Sequence, residues 1–151
     1  MIELPAELVE AIRRHGASTY PEECCGGLLG ERQNGSVLVR RAEPVLNRET
    51  ELRQRRYTID PLDYLRLERL AGEAGLSVVG IYHSHPDHPA VPSEFDREHA
   101  LPYFHYLIVA VDEGRAGDFA CWVLSEDRKS FARAPHRLDH DRLDDFDHEE
   151  E

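Results

Sequence analysis

The sequence predicts an α+β (mixed α/β) fold in a single domain, with a largely antiparallel, curved sheet of about six strands flanked by helices. Three observations lead to this prediction. The chain has 151 residues, a length that suits one compact domain with its own core. Helical and strand patterns follow one another irregularly, without the repeated order of a parallel βαβ sheet. The sequence also lacks the glycine signatures of dinucleotide and P-loop sites.

The N-terminal part predicts a helix followed by a β-hairpin. Residues 5–15 place apolar side chains at helical spacing, and Gly16 is expected to end this helix. Residues 24–31 form an apolar run typical of a short buried strand. The Gln-Asn-Gly-Ser sequence at 33–36 predicts a hairpin turn into a second strand at 37–45.

The central part predicts a loop, a second helix and a central strand. Residues 47–56 are polar and rich in arginine, which favours a loop, and 57–59 are expected to form a short strand. The Asp-Pro pair at 60–61 is typical of a helix N-terminus, and Gly75 supplies the stop signal for that helix. The apolar, β-rich run at 76–83 predicts a central strand.

The C-terminal part predicts one more helix and the remaining strands. Residues 93–100 are expected to form a short helix. Two strands follow at 103–111 and 118–125, joined by a turn over 114–117, and 129–134 would form a final edge strand.

The net charge of −12 is unevenly distributed along the chain. Residues 135–151 carry eight acids and two arginines, a net charge of −6, so the other 134 residues carry the remaining −6. We therefore divide the chain into a folded domain, residues 1–134, and an acidic, histidine-containing tail, residues 135–151, which is expected to be disordered. The acid excess argues against nucleic acid as a partner, because phosphate binding needs a basic surface.

The bulk features indicate a cytoplasmic protein with no membrane partner. No apolar run reaches the roughly 18 residues of a transmembrane helix. The N-terminus lacks the basic and apolar segments of a secretory signal. Three cysteines, two of them adjacent, do not make a disulfide framework.

The densest set of reactive side chains lies near the end of the predicted central strand. His83 and His85 stand two residues apart, so both imidazoles are expected on the same face. Ser93 and Asp96 follow at the start of a predicted helix, where their spacing is also that of an ordinary capping box. Taken with the histidines, Asp96 could be a third metal ligand and Ser93 a hydroxyl beside the metal. Two imidazoles and one carboxylate, with a fourth position open to water, are typical of catalytic zinc.

The same histidines allow a second interpretation. His83-x-His85-x-Asp87-His88 matches the metal motif of metallo-β-lactamase-like hydrolases. That fold needs more downstream chain than this protein offers, so we keep it as the minor alternative. Metal loss on alanine substitution at Asp87 or His88 would favour it, whereas metal loss at Asp96 would favour the first interpretation.

A water activated by a metal also needs a base that takes its proton and delivers it to the leaving group, and a carboxylate suits this role. Glu23, just before the adjacent Cys24 and Cys25, is the candidate. Composition alone would make Glu22 and Glu23 ordinary surface acids ahead of a strand.

Together these residues resemble the JAMM motif of the JAB/MPN (MPN+) zinc metalloprotease family: Glu, then His-Ser/Thr-His, seven residues, Ser, two residues and Asp. The flanking sequences are similar to those of the compact prokaryotic members, and the resemblance extends over residues 4–131. It implies an MPN/JAB-like domain with one Zn²⁺ held by His83, His85 and Asp96. Glu23 would then be the general acid/base, and Ser93 would stabilise the oxyanion of the tetrahedral intermediate.

The resemblance also implies a substrate class, namely amide or isopeptide bonds at the C-terminus of ubiquitin-like proteins. The small bacterial members resemble enzymes that act on ubiquitin-like sulfur-carrier proteins, and one branch releases cysteine from a carrier adduct as a route to cysteine biosynthesis. The sequence looks closest to that branch. A non-catalytic MPN scaffold is the alternative, but such scaffolds lack motif residues and this chain has all five. The oligomeric state stays open, with a homodimer as one alternative.

An arginine-rich stretch is the candidate surface for a protein partner. Seven arginines and three acids lie between residues 32 and 56, a net charge of +4 in an acidic protein. A solvated hairpin face is the ordinary explanation of such a stretch. The functional alternative is a docking surface for an acidic carrier or its terminal carboxylate, because arginine binds carboxylates in a bidentate manner. Arg53, Arg55 and Arg56 are the candidates for this contact.

Overall fold

A computed structural model describes residues 1–139 of the chain. Within these residues the protein forms eight strands and three helices, in the order β1 (Ile2–Pro5), α1 (Ala6–Thr19), β2 (Cys25–Gln33), β3 (Ser36–Val45), α2 (Pro61–Glu73), β4 (Ser77–Pro86), α3 (Glu94–His99), β5 (His105–Asp112), β6 (Arg115–Leu124), β7 (Phe131–Ala134) and β8 (His136–Asp139).

All eight described strands belong to one sheet, in the order β7-β6-β5-β4-β2-β3-β1-β8. Four of its neighbouring pairs are antiparallel, whereas β4–β5, β1–β3 and β1–β8 are parallel. The sheet is strongly curved, because its two end strands, β7 and β8, are joined by the single residue Pro135. The ring of His136 on β8 accordingly lies 4.7 Å from that of Phe119 on β6. The predicted α+β fold is confirmed, but with eight strands rather than about six.

One prediction near the C-terminus is wrong, and one strand near the N-terminus was not predicted, for the same physical reason. Residues 136–139, predicted to belong to a disordered tail, form β8, and residues 2–5 form β1. Each strand has only four residues, too few to show an alternating pattern, and both gain their stability from parallel pairing between distant parts of the chain. The rest of the predicted tail, 140–151, lies outside the described residues.

Helix α1 packs on one face of the sheet and forms the main core with it. Leu8, Val9 and Ile12 are buried against apolar side chains of the strands. Gly16 does not end this helix as predicted, since α1 continues to Thr19. A Cβ at Gly16 would lie 3.1 Å from Val111 and 3.3 Å from Ser84, so the glycine permits close contact between helix and sheet. No helix within residues 1–139 has the length and apolar character needed to cross a bilayer.

The predicted turns are partly confirmed. Asn34 and Gly35 have φ angles of 50° and 80°, as a tight two-residue hairpin turn requires. The later turn is formed by Glu113 and Gly114, also at positive φ, whereas Gly117 already lies in β6. Residues 57–59 form no strand, and their backbone is not paired with the sheet. Their aromatic and apolar side chains pack beneath α2 instead.

Gly80 is the position in β4 where any side chain should damage the fold. A Cβ there would lie 2.0 Å from the carbonyl oxygen of His105 on the parallel neighbour β5. This contact is with backbone, so relief requires the two strands to separate. We expect Gly80→Ala to lower the free energy of unfolding by roughly 2–4 kcal/mol, at or above the usual range for overpacking, measured by urea denaturation.

Gly72 provides the matched control, because it is exposed in α2 and a Cβ there meets nothing within 4 Å. Gly72→Ala should leave stability unchanged or raise it by about 0.5–1 kcal/mol through helix propensity. Equal stability of the two variants would contradict the strand contact at Gly80.

Candidate active site

The two histidines of the predicted metal motif lie at the C-terminal end of β4. His83 and His85 face the side of the sheet opposite to α1, whereas Ser84 between them faces α1. The Ser84 hydroxyl accepts a hydrogen bond of 2.8 Å from the backbone N–H of Cys24. The middle residue of the motif therefore ties β4 to the segment that carries Glu23.

Asp96 approaches the histidines from the first turn of α3. Its Oδ2 lies 3.2 Å from Nε2 of His83 and 3.1 Å from Nε2 of His85, and the two Nε2 atoms are 3.2 Å apart. Asp96 also completes a capping box, in which its carboxylate accepts from the Ser93 N–H and its own N–H donates to Ser93 Oγ. The capping and ligand interpretations are thus compatible, because helix capping holds the carboxylate in place.

These three side chains fit a metal ion. They are exposed by only 1%, 5% and 8% for His83, His85 and Asp96, and three ligand atoms converge at nearly equal distances. Tetrahedral ligands at about 2.0–2.1 Å from zinc would be separated by about 3.3 Å, close to the observed triangle.

The protonation states favour metal binding. His85 Nδ1 lies 2.8 Å from the carbonyl oxygen of Pro89; a proton on Nδ1 leaves the Nε2 lone pair free for a metal. Burial lowers the pKa of His83, against the opposing attraction of Asp96. Burial also disfavours ionisation of Asp96, but the imidazoles and the Ser93 amide outweigh it and hold the pKa of Asp96 well below its ordinary range. Burial therefore favours the neutral imidazole of His83, and Asp96 is held as a carboxylate, and both of these forms bind metals.

Glu23 lies beside this group and is only 4% exposed. Its backbone is held by the arginine-rich loop: the Glu23 N–H donates to the Arg53 carbonyl oxygen at 2.7 Å, and the Asn47 amide donates to the Glu23 carbonyl oxygen at 3.1 Å. Burial and the negative charge of Asp96 raise the pKa of Glu23 to about 9. Its Oε1 has no hydrogen-bond partner within the described chain. The shifted pKa and the unpaired oxygen, on the wall of a cavity, make Glu23 a candidate for proton transfer.

A cavity of about 380 Å³ joins these groups. The residues that line it come from the segment before β2, the arginine-rich loop, the end of β4 and the loop before α3: Glu23, Arg55, His85, His88, Pro89, Val91 and Ser93. Ser93 Oγ accepts from the Asp96 N–H, which leaves the Ser93 O–H able to donate into the cavity. The cavity thus contains a carboxyl group, a hydroxyl donor and one candidate metal ligand.

Of the three arginines predicted to meet a partner, only one lines this cavity. Arg55 does so, whereas the Arg53 side chain donates to the Glu49 carbonyl oxygen and the Arg56 guanidinium lies 4.6 Å from the centre of the Phe95 ring. The three arginines are therefore not equivalent.

A second cavity, of about 470 Å³, is lined in part by Asp96. It is lined mainly by aromatic and apolar residues of the 57–59 segment, α2, α3 and the strand that follows, among them Tyr57, Phe95 and Tyr106. Asp96 therefore belongs to the wall of this second cavity, whereas Glu23, His85 and Ser93 line the first.

The metallo-β-lactamase-like interpretation is not supported by the geometry. Asp87 is exposed, and its carboxylate accepts from the Tyr20 hydroxyl and the Glu113 N–H. His88 lies on the cavity wall and is no part of the group that could hold a metal within the described residues. Cys25 packs among apolar residues and does not join the metal group.

Sequence reasoning missed several residues that support the site. The Tyr57 ring stacks on His83, with ring centres 4.5 Å apart and a 28° angle. The Trp122 indole N–H donates to the Ala90 carbonyl oxygen at 3.0 Å and holds the loop that carries Pro89. Nothing in the sequence marks these contacts, because they join segments far apart in the chain.

Tyr57 is expected to position His83, because His83 Nδ1 has no hydrogen-bond partner in the described chain. Metal-bound histidines usually gain their orientation from such a partner; here the stacked ring replaces it. Tyr57→Leu should lower metal affinity by about tenfold, in line with the loss of an outer contact. Tyr57→Phe keeps the ring and should bind as the wild type does. Competition with a chromophoric chelator measures both, and equal affinities for the leucine and phenylalanine variants would contradict the stacking role.

Comparison with known proteins places the chain in a family. A sequence profile for prokaryotic homologs of the JAB domain matches residues 5–125, a range that includes all five motif positions. The chain belongs to this family.

Relatives with assigned activities cover most of the chain. It is 36% identical over 116 residues to the desampylase of Haloferax volcanii, and the aligned region covers 74% of this chain and 81% of that protein. It is 35% identical over 106 residues to the CysO-cysteine peptidase of Mycobacterium tuberculosis, and the aligned region covers 70% of each chain. These names support a hydrolase role for the prokaryotic JAB-domain chain.

Solved structures agree with the fold. A solution structure of a protein from Salinibacter ruber has 43% sequence identity and a TM-score of 0.72, covering 92% of each chain. A JAB1/MPN domain protein from Archaeoglobus fulgidus, at 18% identity, covers 91% of this chain and 96% of its own with a TM-score of 0.55. The second likeness supports the JAB/MPN fold alone.

Proposed function

We propose that this JAB-family protein is a JAMM-type zinc hydrolase that cleaves the amide, isopeptide or C-terminal adduct bond after the Gly-Gly end of a ubiquitin-like sulfur-carrier protein. The observation that carries this proposal is the convergence of five side chains from three distant segments on one place. His83, His85 and Asp96 present three ligand atoms within 3.2 Å of one another, and Glu23 and Ser93 line the cavity beside them.

In this proposal His83, His85 and Asp96 hold the zinc, which when bound would polarise both a water molecule and the scissile carbonyl group. Glu23 accepts a proton from the attacking water and delivers it to the leaving nitrogen. Its side chain is only 4% exposed, which limits its contact with bulk water. The Ser93 hydroxyl donates to the oxygen that becomes negative as the carbonyl carbon turns tetrahedral.

The proposed substrate class draws on the relatives. One relative is named a desampylase, another a probable TtuB-protein conjugate cleaving protease, and a third a CysO-cysteine peptidase. We extend to this chain the cleavage of a bond to a small carrier protein, and we place that bond at the C-terminus of the carrier. All three cysteines are free and buried, which supports the proposed cytoplasmic location, where thiols stay reduced.

The test compares zinc-loaded and chelator-treated protein on a sulfur-carrier protein extended by a short peptide after its Gly-Gly end. We expect the zinc-loaded protein alone to release the extension, detected by mass spectrometry of the intact carrier. Cleavage that survives removal of the metal would contradict the zinc role. Absence of cleavage for every carrier, conjugate and adduct tested would favour the non-catalytic scaffold.

A further inference from the structure

We propose that Arg55 makes the cavity selective for a leaving group that carries a free α-carboxylate. The preferred substrate would then be a carrier with a single amino acid attached through its α-amine to the terminal glycine. This inference rests on the proposed function and names its substrate class. In the reaction the acyl C–N bond breaks, the oxygen of water joins the carbonyl carbon, and a proton reaches the nitrogen, so the products are the carrier carboxylate and a free amino acid.

The position of Arg55 relative to Glu23 is fixed by backbone hydrogen bonds. The Arg55 N–H donates to the Leu52 carbonyl oxygen at 2.9 Å, which closes a turn in the loop. Two residues earlier, the Arg53 carbonyl oxygen accepts from the Glu23 N–H at 2.7 Å. The loop that presents Arg55 is therefore bonded directly to the residue proposed to carry the proton.

The Arg55 guanidinium has no partner among the described residues, unlike its neighbours. Arg48 pairs with Asp63 at 3.1 Å, Arg53 donates to the Glu49 backbone, and Arg56 stacks on Phe95. Arg55 makes no comparable side-chain contact, and the nearby Glu23 Oε1 is itself without a partner. An uncommitted cation on the wall of a cavity is available to an anionic ligand, and guanidinium groups bind carboxylates through two parallel hydrogen bonds.

We assign this cavity to the leaving group of the reaction. The group that protonates the leaving nitrogen must lie beside it, so the leaving amine belongs in the cavity that contains Glu23. In an α-amino acid the carboxylate is one carbon away from that nitrogen. In a lysine isopeptide the nitrogen instead leads to an aliphatic chain, with no carboxylate close by. The apolar walls formed by Pro89 and Val91 and the volume of about 380 Å³ suit a small side chain.

The test uses two substrates that differ in one group. Both are the same ubiquitin-like carrier with one alanine after Gly-Gly, ending either in a free carboxylate or in a carboxamide. For the zinc-loaded wild type we expect kcat/KM to be at least tenfold higher for the free carboxylate. Arg55→Gln should bring this ratio close to one by lowering the rate for the carboxylate substrate alone, and Arg55→Lys should retain part of the ratio.

Arg53→Gln is the matched control, because it removes the same charge from the same loop at a residue that does not line the cavity. It should leave the ratio of the two rates unchanged. An equal rate loss on both substrates in Arg55→Gln, or no preference in the wild type, would overturn the role of Arg55 while leaving the hydrolase intact. Failure of the wild type to cleave either substrate would instead count against the proposed function and this inference together.

Discussion

Replacing Glu23 with glutamine is expected to lower kcat for carrier cleavage by about 10²–10⁴-fold, the usual contribution of a general acid/base. Glutamine keeps the size and burial of the side chain but cannot take a proton from water or return it to a leaving nitrogen. The substitution leaves the ligand group formed by His83, His85 and Asp96 unchanged, so the zinc content should not change. Steady-state kinetics together with metal analysis of the purified variant checks both expectations.

The stability of the wild type relative to Glu23→Gln is also expected to change with pH. Burial and the charge of Asp96 raise the pKa of Glu23 from 4.5 to about 9 in the folded protein, so the folded state holds this proton more tightly than the unfolded state. In metal-free protein, the wild type should therefore lose stability relative to Glu23→Gln as the pH rises from about 4.5 to about 9. Urea denaturation of both proteins across this range measures the difference.

Glu22 offers a matched control, since it is the adjacent glutamate but is exposed. Glu22→Gln should retain wild-type kinetics and a wild-type pH profile of stability. If Glu23→Gln cleaves the carrier as fast as Glu22→Gln does, Glu23 is not the proton carrier.

The site could be predicted where a local rule determined which way a side chain points. The period of two in β4 places His83 and His85 on one face, and the capping box fixes Asp96 at the first turn of α3. Both rules act within a few residues, so sequence spacing is sufficient. The choice of Glu23 over Glu22 needed the family resemblance, because Glu23 is held by hydrogen bonds with Arg53 and Asn47 of a distant segment.

The parts that could not be predicted depend on contacts between distant segments. β1 and β8 pair with each other across almost the whole described chain, and neither shows a pattern of its own. Gly16 resembles a helix stop in the sequence, yet it permits α1 to approach Ser84 and Val111. Tyr57 was assigned to a strand but stacks on His83. In each case tertiary packing outweighed the local signal.

Asp96→Asn is expected to have the second largest effect, on zinc binding. One oxygen of Asp96 lies within hydrogen-bonding distance of both imidazoles and of the Ser93 N–H. The substitution removes the only negative charge of the proposed ligand group. We expect zinc affinity to fall by more than about 100-fold, beyond the loss of an outer contact, and hydrolysis to fall with it. Asparagine can still accept from the Ser93 N–H, so the start of α3 should persist and circular dichroism should remain that of a folded protein.

Asp87→Asn and His88→Ala provide the comparison, because these residues belong to the competing metal motif. The Asp87 carboxylate is already bonded to Tyr20 and to the Glu113 N–H, and His88 stands outside the ligand group. Both variants should retain zinc at wild-type affinity in chelator competition. Zinc loss in these two, with zinc kept in Asp96→Asn, would reverse the assignment. The opposite pattern would show that a carboxylate held by a helix cap, and not the contiguous histidine-aspartate run, completes the metal site.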